Sequence, residues 1–203
     1  MSDDDEKRLM NMQIKKYEVV LATRNFEIEL FWKRSLFFWG FIAASFVTYA
    51  TIIKEKPELA IVIACFGFVC SVAWSLVNRG SKYWQENWES HVEIIEDNVT
   101  GSLFKERKEQ KDKGIWLSSR KFSVSKVVIA LSDFTVLIWL SLMCYHLYIA
   151  VSNSYHITSN QITVPAVILS IVFAIAMARF GRSSNLSQGA VPEFCHAALR
   201  KTP

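Results

Sequence analysis

Four apolar runs separated by charged segments set the pattern of this chain: residues 36–53, 59–77, 127–151 and 162–177. Each approaches the roughly 20 residues that a helix needs to cross about 30 Å of hydrocarbon. A soluble core helix would break such a run with a polar face, whereas these are apolar on most faces. The pattern predicts an all-α fold, a four-span α-helical integral membrane protein. Ahead of the first run, residues 6–34 favour helix and hold no Gly or Pro, and Tyr17, Leu21 and Ile28 recur at near-helical spacing among charges. One long N-terminal helix, or two closely joined, is expected to run from the cytoplasm into the bilayer. After the second run the helix is expected to end at Asn78-Arg79-Gly80, and an amphipathic helix to follow over about 81–97, between spans two and three. Trp84, Trp88, Val92 and Ile95 share one face of it, and Glu86, Glu89, Glu93 and Glu96 occupy much of the rest. So acidic a polar face disfavours adsorption to an anionic leaflet and favours packing on the N-terminal helix.

These elements divide the chain into a cytoplasmic N-terminal helix (1–34), a membrane hairpin of spans one and two (35–78), a cytoplasmic helix and charged linker (79–126), a second membrane hairpin (127–180) and a cytoplasmic tail (181–203). Within the third segment, 105–113 is charged with little to bury. Trp116, Leu117 and Phe122 among Arg120, Lys121 and Lys126 form an interfacial lead into span three.

Charge fixes the expected orientation. Of the 23 Lys and Arg, seven precede span one, two lie in the first hairpin turn, ten in the central segment, none in the second turn and four in the tail. Excess Lys and Arg marks the cytoplasmic side, so both termini and the central segment are expected there. Trp32 and Trp39 are placed at the inner headgroup level, and Tyr145, Tyr148 and Tyr155 at the outer one. The net charge of +4 is spread among acidic residues, which suits topology and membrane lipids better than nucleic acid. The acidic start, residues 1–6, does not read as a secretory signal. Cys65, Cys70 and Cys144 fall in spans and Cys195 in the tail, so no disulfide framework is expected.

Little catalytic chemistry is legible. No Gly-rich phosphate loop, nucleophile elbow or HExxH occurs. Cys144 with His146 and Cys195 with His196 lack the spacing of a zinc site, so neither metal nor cofactor is expected. The sequons at Asn98 and Asn185 fall on segments expected in the cytoplasm. Small residues give a clearer signal. Gly40, Ala44 and Thr48 in span one recur every fourth position, as do Gly67, Ser71 and Ser75 in span two and Ala166, Ser170, Ala174 and Ala178 in span four. Such spacing lets helix backbones approach closely in lipid, either within one subunit or between subunits. Asp133 is the sole acidic residue well inside a predicted span. It is a candidate intramembrane polar site, for an ion or proton path or for a structural salt bridge.

The stretch RNFEIELFWKRSLFFWGFIAA at 24–44 crowds alternating charges and aromatics where the first helix meets the membrane, with Arg24–Glu27 and Glu29–Lys33 placed to pair. It resembles the RipA-like family of bacterial octameric membrane proteins. NRGSKYWQENWESHVEIIEDNVTGSLF at 78–104 and the sequence from Ser119 to Lys126 are similar to it too. The resemblance covers roughly the first 140 residues. It implies an inner-membrane homo-oligomer of eight subunits with a structural, channel-like or regulatory role, and it supplies no catalytic residue. Two alternatives stand beside it. One is a membrane-perturbing effector like the SLATT class of defence proteins, which typically has two spans. The other is a small transporter or membrane enzyme, which would call for converging ionisable groups at mid-bilayer.

Overall fold

The computed structural model describes residues 2–101, 103–105, 122–152 and 157–182, with the backbone alone given at 157–160. The charged linker beyond Lys105, the interfacial lead up to Lys121, Tyr155 and the tail with Cys195 and His196 lie outside them. The described residues form four α-helices and one 3₁₀ turn: α1 (Asp3–Ile52), α2 (Pro57–Ile95), a 3₁₀ turn at Glu96–Asn98, α3 (Val124–Ser152) and α4 (Ile157–Phe180). All four helices are long and apolar enough to cross a membrane.

α1 is one unbroken helix of 50 residues, about 75 Å long at 1.5 Å per residue. It starts in a capping box, with Asp5 N–H donating to Ser2 Oγ at 3.3 Å and Ser2 N–H donating to Asp5 Oδ2 at 3.2 Å. Asp3, Asp4, Asp5 and Glu6 fill its first turn, where the helix dipole favours negative charge. A tight turn leads to Pro57 at the start of α2, where its missing N–H costs no helical hydrogen bond.

α2 departs from the sequence expectation. Residues 81–97 are helical as far as Ile95, but they continue span two without a break at Asn78-Arg79-Gly80. Gly80 sits in the helix with open space beside it, so it neither turns the chain nor admits a close neighbour. The 39 residues of α2 therefore rise from the short turn, cross the membrane-competent region and run on beside α1. The buried face is turned toward one edge of the tryptophan face: Val92 is buried with Asn78, Ser81, Gln85 and Glu96, Trp88 and Ile95 are partly buried, and Trp84 remains 44% exposed.

α2 is the central helix, with α1, α3 and α4 all packed on it. The larger core joins Tyr49, Ile61, Phe68, Trp139, Met143 and Val167 among others. A smaller core of Phe31, Ile42, Trp74 and Val128 lies nearer the basic end. α4 packs Thr163, Val167, Ser170 and Ala174 inward.

Candidate functional site

Side-chain hydrogen bonds fix the axial register of the bundle. Between the antiparallel α1 and α2, Arg24 Nη2 donates to Glu89 at 3.4 Å, Arg34 Nη1 to Ser81 Oγ at 3.0 Å, and Ser35 Oγ to Asn78 Oδ1 at 3.2 Å. α3 is tied at three heights: Ser125 Oγ donates to Gln85 at 3.2 Å, Ser75 Oγ to Asp133 at 2.6 Å, and Tyr49 OH meets His146 Nε2 at 3.0 Å. By this register Asp133 stands level with Ser75, about one turn inside the Ser35–Asn78 level where the apolar runs of α1 and α2 end.

Asp133 is the centre of a charged clamp. Arg79 approaches it end-on, Nη2 donating to Oδ2 at 2.8 Å and Nη1 to Oδ1 at 3.0 Å. Arg79 Nη1 also reaches the Ser75 hydroxyl and its carbonyl. Bidentate, charge-assisted pairs of this kind are stronger than neutral hydrogen bonds and fix geometry as well. Both carboxylate oxygens are thereby engaged, and α2 is joined to α3 at the end of α2's apolar run. Each side chain keeps just under half its surface open on the single protomer. Of the two roles open to Asp133, the structure shows a salt bridge, and its partner comes from another helix. The Arg24–Glu27 pairing expected from the sequence is replaced. Arg24 turns to Glu89, and Glu27 lies 4.0 Å from Arg34, while Lys33–Glu29 forms at 3.1 Å.

The small-residue lines fall on different faces. In span two, Gly67, Ser71 and Ser75 are all buried inside the protomer. Gly67 lies flat beneath the Trp139 indole, and a Cβ there would come closer than 3.0 Å to three ring atoms. In span four, Ser170 and Ala174 are buried, with Ala166 and Ala178 partly so. In span one, Gly40, Ala44 and Thr48 are all exposed, and Gly40 has nothing within contact distance of a Cβ. The four expected anchors, Trp32, Trp39, Tyr145 and Tyr148, point outward.

Two further polar sites carried no sequence signal. About 20 Å along the helices from Asp133, the Tyr49–His146 bond is buried, with the two rings edge to face. Its members lie on different helices, so no spacing reveals them. Tyr49→Phe removes one hydrogen bond and leaves the imidazole without its phenol, which is expected to lower stability by about 1–2 kcal/mol in thermal unfolding in detergent. At the opposite end, Glu96 was read on the solvated acidic face and is instead fully buried. Its Oε2 accepts the Phe104 N–H at 2.8 Å, while Arg24 stacks over the Phe104 ring. Gly101 takes φ +74, which glycine adopts readily, and Phe104 lies back against Glu96 and Arg24 of the α1–α2 hairpin. Among the described residues no group of three His, Cys, Asp or Glu is placed to hold a metal.

Three apolar helices around a central fourth, with most of the charge at one end and on the extension beyond it, define a polytopic α-helical membrane protein. The sequence model of the octameric membrane protein family (8xMP) matches residues 14–149, and the chain belongs to that family. The match takes in the paired extension and the first three membrane helices. Neither a curated protein nor a solved structure matches the chain.

Proposed function

We propose that this chain assembles as an eight-subunit ring in the bacterial inner membrane, with both termini in the cytoplasm and a structural or regulatory role rather than a catalytic one. The observation that carries this reading is the match to an octameric membrane protein family over two thirds of the chain. In this arrangement the paired extension of α1 and α2 is a stalk on the cytoplasmic side, supported by the Lys and Arg excess before span one and after span two. Residues 1–34 and 79–126 are the cytoplasmic parts, 35–78 and 127–180 the two membrane hairpins.

Asp133 is the residue most able to lend the ring a channel-like role, because a ring of carboxylates favours cations. Its engagement by Arg79 and Ser75 supports a clamp that holds α2 to α3 instead. The exposed sides of this pair suit the protein–protein or aqueous surfaces of an assembly better than hydrocarbon, where charge is expensive.

Orientation is tested by cysteine labelling in intact cells. A cysteine at Asn153 is expected to react with an impermeant thiol reagent, and one at Lys111 only after permeabilisation. Labelling of Lys111 from outside would overturn the cytoplasmic placement of both termini. The copy number is tested by the mass of the solubilised protein.

A further inference from the structure

α1 carries two lines of side chains on different sides. The buried line, through Tyr17, Phe31, Ser35, Ile42 and Tyr49, packs within the protomer. Roughly 140° round the helix runs a second line: Met12, Val19 and Phe26 at seven-residue spacing, then, beyond Lys33, Phe37, Gly40 and Ala44. All six are exposed. Lys15 and Lys33 share the line, both exposed, and Lys33 is paired with Glu29 at 3.1 Å.

Height decides what can cover this face. Ser35 and Asn78 mark the end of the apolar runs. Phe26, Val19 and Met12 lie about 13, 24 and 35 Å beyond Ser35 along the helix, at 56%, 58% and 52% exposure. The headgroup layer is only about 5–8 Å deep on each side. Even a strong tilt leaves Val19 and Met12 beyond it, so lipid cannot be their cover. Within the membrane the same line becomes small, with Gly40 and Ala44 able to admit a helix at close range. A strip about 48 Å long and 10 Å wide gives about 500 Å² per partner, near the roughly 1,000 Å² total of a specific interface.

We propose that this open face of α1 is where the neighbouring copy of the chain seats, along the stalk as well as in the membrane. The proposal rests on the octameric reading and adds the surface that builds it. A ring places a heterologous contact on every subunit, and a helix with seams on two sides fits between its own α2 and the next subunit.

The test places a photo-crosslinking phenylalanine analogue at Val19 in membranes carrying two differently tagged copies. The expected product is a two-chain adduct bearing both tags. Adducts confined to one chain, to lipid or to another protein would overturn the proposal. As a second measurement, Phe26→Glu lies in water on the exposed face and keeps helix-forming propensity. It is expected to keep wild-type helicity while most of the solubilised protein shifts from the multi-chain mass to smaller species. A multi-chain wild type with no Val19 adduct and an unchanged Phe26→Glu would overturn the surface and leave the octamer standing. A single-chain wild type would remove both.

Discussion

Gly67→Ala is expected to be the most damaging single methyl group that can be added to this protein. Position 67 lies on α2 against the Trp139 indole, itself fully buried and stacked on Phe46 with centroids 4.2 Å apart. The added Cβ meets ring atoms rather than the end of a flexible chain, so either the indole leaves its slot or α3 moves away from α2. Overpacking of this kind costs about 1–3 kcal/mol. Here the upper end is expected, because Trp139 also contacts Tyr49 and belongs to the larger core. The check is thermal unfolding in detergent beside Gly80→Ala, which has open space around it and lies off the proposed interface. Gly67→Ala should lose several degrees more of melting temperature than Gly80→Ala. Equal effects would mean that α2 and α3 are not packed face to face at this level.

The second large effect is expected at the clamp. Asp133→Asn keeps shape but removes the charge that holds Arg79 and weakens the Ser75 bond. Arg79→Leu leaves the carboxylate with Ser75 alone. Each is expected to cost about 1–3 kcal/mol, as hydrogen bonds to charged groups do. Removing both partners, in Arg79→Leu with Asp133→Leu, should recover part of the loss because neither charge is left unpaired. A double-mutant cycle gives the coupling, expected at about 1–2 kcal/mol. Reconstituted wild type is expected to pass no cation current that Asp133→Asn abolishes. Such a current, with unchanged stability in the variant, would return Asp133 to a conducting role.

The four membrane helices were legible because their signal is length and continuous apolarity, which a single sequence carries in full. The helical character of 81–97 was legible for the same reason, through its periodicity. Its continuity with span two was not. Asn78-Arg79-Gly80 has the composition of a helix end, but Ser35 and Asp133 give Asn78 and Arg79 partners on other helices, and the backbone runs straight through. Which face a small-residue line serves was equally hidden. The spacing of Gly67-Ser71-Ser75 and of Gly40-Ala44-Thr48 is identical, yet the first accepts Trp139 and the second is open. Partner identity depends on the axial register between helices, and periodicity along one helix does not contain it. Arg79 as the partner of Asp133, Tyr49 with His146, and the burial of Glu96 all belong to this class. The first two pair residues far apart in the chain, and Glu96 accepts from Phe104 eight residues on, in a segment without periodicity; none is readable until the backbone is in place.

The most direct test of the account is the mass of the purified protein in detergent, with the bound detergent subtracted or by native mass spectrometry. The account predicts one predominant species of eight chains, each of 23.3 kDa. It also predicts that this species persists on dilution and breaks down in Phe26→Glu. A wild-type protein that remains a single chain at all concentrations, while helical and folded, would contradict it.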